Sequence, residues 1–233
     1  MSTSHMRTSQ KRALIVGASR GLGLGLVETF LERGWRVTAT QRTPSPQLAA
    51  LASDALRIET VDIDDDAAVA ELHERLGPQA YDLIFVVAGV ATQAHDPAHA
   101  VPRAVAAQVY LTNAISPVRF AEAFRDRLAP GGSIALMSSV LGSVALNESG
   151  GWETYRASKA ALNTLARSFE IRHRDSGIGV LLVHPGWVRT DMGGAEADID
   201  VATSVAGMAD AVEARLGTPG CHYLDYRGET LAW

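Results

Sequence analysis

A tyrosine and a lysine lie four residues apart at Tyr155 and Lys159, and the run Ala160-Ala161-Leu162-Asn163-Thr164-Leu165-Ala166 follows them. The run is rich in strong helix formers, so both side chains are expected on one face of a helix. A phenol has a reference pKa of about 10 and exchanges protons poorly at neutral pH. An adjacent ammonium group stabilises the phenolate and moves that pKa toward neutrality, which suits the pair to acid–base catalysis. The same spacing also arises by chance, so this interpretation depends on the rest of the chain.

A glycine-rich loop stands near the start of the chain. The apolar run Ala13-Leu14-Ile15-Val16, typical of a strand buried on both faces, leads directly into Gly17, Gly21 and Gly23. Apolar residues at helical spacing follow from Leu24 to Arg33. Such a loop at a helix N-terminus binds pyrophosphate, because the backbone amides and the helix dipole both favour an anion. These elements predict a dinucleotide site, although a glycine turn alone can be only a tight crossover.

The end of the second predicted strand, Trp35 to Thr40, indicates which dinucleotide is bound, because it meets the adenosine ribose. An acidic residue here would accept a hydrogen bond from the 2′-hydroxyl and repel a 2′-phosphate, but the chain has Gln41 and Arg42. Arg20, in the glycine loop, supplies a second cation. Two arginines favour NADPH, unless both are only solvated surface charges.

Strands and helices alternate along the remaining chain, which predicts an α/β fold. We expect a single-domain, Rossmann-type, doubly wound parallel sheet with helices on both faces over residues 11–233, and a flexible N-terminal tail over 1–10. Helices are predicted over 44–53, 65–76, 98–128 and 200–216, and strands over 56–61, 81–87, 133–137, 178–183 and 222–226.

The carboxyl ends of these strands carry the remaining candidate residues, because ligands of parallel sheets bind at that edge. Asp62 could meet the adenine or equally cap the next helix. The other candidates at this edge are Ile63, Ala88, Gly89, Ser138, Ser139, Pro185, Gly186, Val188 and Thr190.

Composition excludes several other kinds of protein. The net charge is −5, with both signs spread along the chain, which argues against nucleic-acid binding. A single cysteine, Cys221, excludes an internal disulfide framework. His95 and His99 have no third ligand at a suitable spacing, so no metal site is expected. We find no signal-peptide pattern and no apolar run of membrane-spanning length, so we expect a soluble cytoplasmic protein.

The motifs occur in one order over nearly the whole chain: Gly17-x3-Gly21-x-Gly23, Ala88-Gly89, Asn113, Ser139, Tyr155-x3-Lys159 and Pro185-Gly186-x-Val188-x-Thr190. In this order and spacing they resemble the short-chain dehydrogenase/reductase family. Within that family the chain looks most like the small carbonyl reductases of the sniffer and C-factor type, on residues 20–26, 137–143, 184–194 and 231–233.

The resemblance implies an enzyme that transfers hydride from NADPH to the carbonyl of a small aldehyde or ketone. It implies that Tyr155 protonates the carbonyl oxygen and that Lys159 holds the ribose hydroxyls and lowers the tyrosine pKa. Ser139 would donate to the substrate oxygen, and Asn113 would position a water that relays protons to the lysine. Ser138 is an alternative to Ser139, because the loop to Tyr155 exceeds the usual family spacing; Ser139 could also be a turn serine and Asn113 a helix-kink residue.

The cofactor implied by the resemblance is NADP(H). The implied binding residues are Gly17, Ser19, Arg20, Gly21, Leu22, Gly23, Arg42, Asp62, Ile63, Ala88, Gly89, Tyr155, Lys159, Pro185, Gly186, Val188 and Thr190. The family usually has threonine before the first glycine and two asparagines before Ala-Gly, where this chain has Val16, Val86 and Val87. Because polar groups are missing from both sides together, we expect a packed valine contact and retained cofactor binding.

Other functions and contacts stay open at this point. C-factor relatives are associated with intercellular signalling, so a signalling or regulatory protein on the same fold is the main alternative. A reductase of carrier-bound acyl groups is disfavoured, because no basic patch is evident. Trp187 and Met192 are expected to contact substrate. A homodimer through the helices bearing Asn113 and Tyr155 would use the small residues Ala157, Ala160 and Ala161, unless these pack on their own sheet.

Overall fold

The computed structural model describes residues 10–233. Residues 1–9 lie outside the described residues, so the N-terminal tail stays a prediction. The strands are β1 (Arg12–Val16), β2 (Arg36–Gln41), β3 (Leu56–Thr60), β4 (Tyr81–Val86), β5 (Leu128–Met137), β6 (Gly179–His184) and β7 (Gly220–Asp225). The helices are α1 (Gly21–Glu32), α2 (Pro46–Ala49), α3 (Asp66–Leu76), α4 (Arg103–Tyr110), α5 (Ser116–Ala123), α6 (Glu153–Arg172) and α7 (Val201–Arg215).

The strands described form one parallel sheet in the order β3-β2-β1-β4-β5-β6-β7. The strand order reverses between β1 and β4, so this is a single-domain, doubly wound fold and the predicted fold class is confirmed. The glycine loop follows β1 and Ala88-Gly89 follows β4. Both loops therefore meet at the switch point, where a parallel sheet opens a crevice for ligands.

Two buried clusters cover the two faces of the sheet. Leu14, Ile84 and Leu182 pack in one cluster, while their chain neighbours Ile15 and Phe85 pack in the other. Successive side chains of a strand point to opposite faces, so strands covered on both sides need continuous apolar runs. This is why β1, β4 and β6 were recognisable from the sequence.

The structure corrects several predicted boundaries. The predicted helix 44–53 is only α2, which Ser45 caps by accepting a hydrogen bond from Leu48 N. Asp65, not Asp62, caps α3, because its Oδ1 accepts from Ala67 N at 2.9 Å. The predicted helix 98–128 is wrong at both ends, since residues 92–101 form turns and bends and residue 128 already belongs to β5.

A π-helical turn, Leu111–Ile115, separates α4 from α5 and contains Asn113. Such a turn inserts one extra residue into a helix and is frequent at functional sites. Among residues 10–233, no helix has the length and apolar character needed to cross a membrane. Within the same range, no group of three or more His, Cys, Asp or Glu side chains is arranged to hold a metal ion.

Candidate active site

The glycine loop is held against the loop after β4 by backbone contacts. Val16 O accepts hydrogen bonds from Val87 N at 2.8 Å and Ala88 N at 3.1 Å. A Cβ at Gly17, where φ is +90°, would lie 2.8 Å from Ala88 N, and one at Gly23 would lie 2.1 Å from Gly17 O. Only glycine fits these two positions, because a side chain at Gly17 would push the two loops apart and one at Gly23 would collide with the backbone of the glycine loop itself.

The predicted valine contact is confirmed. Val16 and Val86 are register partners on β1 and β4, and both are buried in the same cluster. Val87 packs against the cluster on the other face. Apolar packing and the two bonds to Val16 O thus join the loops without side-chain polar groups, while cofactor binding stays a prediction.

The N-terminus of α1 faces this cleft without a side-chain cap. Arg20, its N-cap residue, makes no capping hydrogen bond with its side chain. The first amide groups of a helix have no partner inside the helix, so they are suited to bind an anion. Ser45 Oγ donates to Ser19 O at 2.6 Å and ties the loop to the turn after β2. Leu22, also predicted here, packs against the buried cluster on the α1 side of the sheet.

Both predicted 2′-phosphate arginines lie beside a carboxylate. Arg20 Nη1 donates to Asp191 Oδ2 at 3.0 Å, and Arg42 Nη1 lies 4.0 Å from Asp62 Oδ2. Three of the four side chains are largely exposed and Asp62 is 42% exposed, so these pairs contribute little to stability and separate readily. Asp62 is thereby placed next to Arg42 at the carboxyl end of β3, whereas Ile63 is buried in the core.

Tyr155 and Lys159 lie on one face of α6, as predicted, with Lys159 Nζ 5.7 Å from the centre of the tyrosine ring. Lys159 is 2% exposed, and its Nζ donates to Met137 O at 2.8 Å. Burial lowers the lysine pKa to about 8. Burial also raises the pKa of Tyr155 to about 12, opposed in part by the Ser139 hydroxyl. The expectation that Lys159 brings the tyrosine pKa toward neutrality is therefore wrong for this arrangement, because desolvation dominates.

Ser139, rather than Ser138, lies beside the tyrosine. The Ser138 hydroxyl donates to Asn163 Oδ1 at 2.6 Å and is buried away from the cleft. The Ser139 hydroxyl is close enough to Tyr155 to influence its pKa, and Ser139 also accepts from Leu141 N at 3.2 Å. The geometry supports Ser139 as the candidate and assigns Ser138 to the packing beneath it.

Two residues that the sequence analysis missed hold this serine loop. Tyr223 OH, on β7, donates to Ser139 O at 2.5 Å. Asn163 accepts from Ser138 and donates through Nδ2 to Gly142 O at 3.3 Å. Asn163 stands four residues after Lys159, one helical turn further along α6, which was a usable signal; Tyr223 had none beyond its place in a predicted strand.

The Asn113 side chain is fully engaged in structure. Its Oδ1 accepts from Val90 N at 2.8 Å, and its Nδ2 donates to Val90 O at 2.8 Å and to Ser158 Oγ at 3.0 Å. A Cβ at Gly89 would lie 3.2 Å from Asn113 Oδ1 and 3.5 Å from Lys159 Nζ. The side chain thus acts as a helix-kink residue that joins the β4 loop to α6, and its role in a proton relay stays a prediction.

The segment after β6 returns to the glycine loop. Gly186 has φ +86°, and Val188 is buried and bridges to Ile199. A Cβ at Gly21 would lie 3.8 Å from the Thr190 methyl group, so the two loops are in contact range. Pro185, also predicted to bind cofactor, accepts a hydrogen bond from Ser204 Oγ on α7 through its carbonyl oxygen at 2.6 Å.

The two residues predicted to contact substrate are exposed on this segment. Trp187 is 50% exposed, and its Nε1 donates to Gly193 O at 2.8 Å. Met192 is 44% exposed. Both side chains are accessible, and their contact with a substrate stays a prediction.

Comparisons with known proteins agree with this geometry. A family model described as short chain dehydrogenase matches residues 11–200. A carbonyl reductase from Pseudomonas aeruginosa PAO1, solved in complex with NADP, is 43% identical with a TM-score of 0.89, over 97% of this chain and 100% of that chain. The carbonyl reductase Sniffer of D. melanogaster is 30% identical with a TM-score of 0.85, over 96% and 100% of the two chains. The C-signal protein of Myxococcus xanthus is 37% identical over 129 residues, which are 54% of this chain and 78% of that protein.

Proposed function

The chain belongs to the short-chain dehydrogenase/reductase family of oxidoreductases, and we propose that it is an NADPH-dependent carbonyl reductase acting on small or moderately sized aldehydes and ketones. The family resemblance drawn from the motifs is thereby confirmed. The observation that carries the proposal is that Tyr155, Ser139 and Lys159 converge at the crevice where the glycine loop and the β4 loop meet.

The cleft has the groups that NADP(H) requires. The uncapped N-terminus of α1 is suited to the pyrophosphate, and the close loop approach at Gly17 brings bare backbone to the cofactor. Arg20 and Arg42 would take the 2′-phosphate in exchange for their exposed carboxylate partners. The NADP complex of the Pseudomonas aeruginosa relative supports this assignment. When bound, the cofactor supplies the hydride.

Tyr155 is the proton donor in this proposal. With a pKa of about 12, its phenol is protonated at neutral pH, which is the state a general acid needs in the reducing direction. The Ser139 hydroxyl would hold the carbonyl oxygen beside it, and the Lys159 ammonium, 5.7 Å from the centre of the tyrosine ring, would bind the ribose and favour the developing phenolate. Because the Asn113 side chain is engaged with Val90 and Ser158, a relay water would bind the backbone of the π-helical turn.

Replacement of the tyrosine tests the proposal. Tyr155→Phe removes the transferred proton while keeping the ring, so we expect turnover of a panel of aldehydes and ketones to fall by about 100-fold or more. The loss of NADPH absorbance measures the rate. Tyr81→Phe is the matched control, because Tyr81 begins β4 at the end away from the Ala88-Gly89 loop. This variant should leave the rate unchanged. Undiminished turnover by Tyr155→Phe would refute the assigned acid.

A signalling or regulatory role on the same fold is the second candidate, and the similarity to the C-signal protein of Myxococcus xanthus favours it. The two functions separate in one experiment. Neither Tyr155→Phe nor Lys159→Ala should catalyse the reduction. A biological effect that survives in both variants would therefore favour signalling.

We also propose that two copies of the chain pair through α6 and the helices on either side of Asn113. Ile115, at the end of the π-helical turn, and Leu165, on α6, are 43% and 37% exposed, so each of the two packed elements keeps an apolar side chain at the surface. A cytoplasmic location is part of the proposal as well. The single cysteine, Cys221, is partly buried and has no second cysteine to pair with, which supports a reducing compartment.

A further inference from the structure

Three rings lie in series at the proposed catalytic tyrosine. The ring centres of Trp152 and Tyr155 are 5.7 Å apart with an interplanar angle of 78°, and those of His95 and Trp152 are 4.8 Å apart at 74°. Trp152 is partly buried and His95 is exposed, and neither belongs to a buried cluster of the core. The indole therefore lines the approach to Tyr155 instead of packing the interior.

Trp152 is held in a backbone conformation that tryptophan normally avoids. Its φ is +50° and ψ is 32°, and Gly150 and Gly151 before it also have positive φ. In residues 10–233, Gln93 is the one other non-glycine residue with positive φ. Left-handed backbone at a bulky residue persists only where the surrounding structure enforces it, and such residues cluster at functional sites.

Two contacts enforce this arrangement. The buried Arg156 donates through Nε to Gly151 O at 2.9 Å and to Gly150 O at 3.2 Å, which fixes the turn before Trp152. Glu153 Oε2 accepts from Ala98 N at 2.8 Å, which ties the loop bearing His95 to the first turn of α6. The backbone on either side of the two rings is thus held by Arg156 and Glu153, two residues of α6 that take no part in the proposed chemistry.

We propose that Trp152 and His95 form an aromatic wall of the substrate site and select carbonyl compounds with a flat aryl substituent. The inference rests on the proposed function, because the carbonyl oxygen must lie at the Tyr155 hydroxyl. A substituent attached to that carbonyl then extends alongside the neighbouring indole. Aromatic rings prefer edge-to-face or offset contact with one another, which a puckered saturated ring of the same size cannot match.

The test compares benzaldehyde with cyclohexanecarboxaldehyde, which differ in the flatness of the ring. The quantity measured is the ratio of kcat/KM for the two aldehydes in each variant, so differences in their intrinsic reactivity cancel between variants. Trp152→Gly removes the indole and keeps the left-handed turn, since glycine adopts it without strain. We expect this ratio to fall by about three- to tenfold, the size of an aromatic pair contact. Trp152→Phe should retain most of the preference.

The matched control is Gln93→Gly, which makes the same change at the other left-handed residue and removes no ring. It should leave the ratio unchanged. An unchanged ratio in Trp152→Gly, including the case in which kcat/KM falls equally for both aldehydes, overturns the aromatic wall. If Trp152→Gly no longer binds NADPH, His95→Ala decides: the ratio should fall in this variant because the ring that supports the indole is lost, and an unchanged ratio overturns the aromatic wall. A wild-type enzyme that reduces other members of the carbonyl panel but neither of these aldehydes overturns the aromatic wall alone, whereas one that binds NADPH and reduces no member of the panel overturns the proposed function.

Discussion

Lys159 shows how the site works against the stability of the fold. Its pKa falls from 10.5 to about 8 because burial removes water from the ammonium group. Each pKa unit corresponds to about 1.4 kcal/mol, so burying this charge costs on the order of 3 kcal/mol at neutral pH. The hydrogen bond to Met137 O offsets part of that cost.

Lys159→Met should therefore stabilise the chain without added nucleotide by about 1–2 kcal/mol at neutral pH, while abolishing reduction. The pH dependence of stability provides a second test. The folded pKa lies below the unfolded one, so between about pH 8 and the unfolded pKa the unfolded chain binds more protons and wild-type stability rises with pH. That rise should be absent from the variant. Urea unfolding at a series of pH values measures the stability difference at neutral pH and the dependence of stability on pH. A variant less stable than wild type would contradict the prediction.

Some residues of the site could be predicted from the sequence and others could not. Tyr155 and Lys159 were found because their spacing alone places them on one helical face. Trp152 and Arg156 were missed, since the left-handed turn that ends at Trp152 depends on the buried guanidinium of Arg156, which binds two carbonyl groups. The direction of the Tyr155 pKa shift was also missed, because burial cannot be judged from a pair of residue types.

At the scale of elements, β7 positions the loop after β5. Tyr223 is 1% exposed, and its hydroxyl donates to Ser139 O, which also accepts from Gly142 N at 2.8 Å. Asn163, from α6, holds the same loop through Ser138 and Gly142. Ser139 is therefore oriented by two side chains, Tyr223 and Asn163, that take no part in the proposed chemistry.

Tyr223→Phe removes this hydrogen bond and keeps the ring. We expect kcat to fall by about tenfold with an unchanged Kd for NADPH, because only the serine loop loosens. We also expect the free energy of unfolding to fall by about 1–2 kcal/mol. Steady-state kinetics, nucleotide titration and urea unfolding give the three values.

Tyr81→Phe is the matched control for Tyr223→Phe. Tyr81 is as deeply buried, and its hydroxyl donates to Thr38 Oγ1 at 3.2 Å, away from the site. It should lose similar stability with no change in kcat. Equal losses of kcat in the two variants would mean that Tyr223 acts only through global stability.

The elements themselves were predictable to different degrees. Strands β1, β4 and β6 follow from continuous apolar runs, which local composition reveals. The π-helical turn does not, because it is a single turn inside an otherwise continuous helical pattern. Its extra residue is accommodated by long-range bonds from Asn113 to Val90 and Ser158, and Thr112 is bound in turn by Asp64 at 2.6 Å.

At the scale of the whole molecule, the sheet order brings distant segments to one crevice. Arg20 and Asp191 are 171 positions apart and form an ion pair across it. The alternation of strands and helices was enough to predict the doubly wound sheet, because its crossovers have one preferred hand. Which side chains face each other across the crevice was not predictable, since that depends on loop conformations at both ends.

The outer surface of α6 leads to a prediction about association. Leu165 is 37% exposed, and Thr164 beside it and Ala157 about two helical turns earlier are small exposed residues of the same helix, so a second helix could approach closely. In a two-fold dimer the same patch meets itself, so Leu165→Arg would set two like charges against each other and should convert the proposed dimer to monomers.

Sedimentation velocity at matched concentrations measures this change. Met192→Arg places the same charge on an exposed apolar residue of the segment after β6 and should leave the sedimentation coefficient unchanged. Because the Tyr155 face of α6 is turned inward, the Leu165→Arg monomer should still bind NADPH, which separates lost pairing from lost folding. A wild-type chain that sediments as a monomer, or a Leu165→Arg variant that stays dimeric, would contradict pairing through this surface.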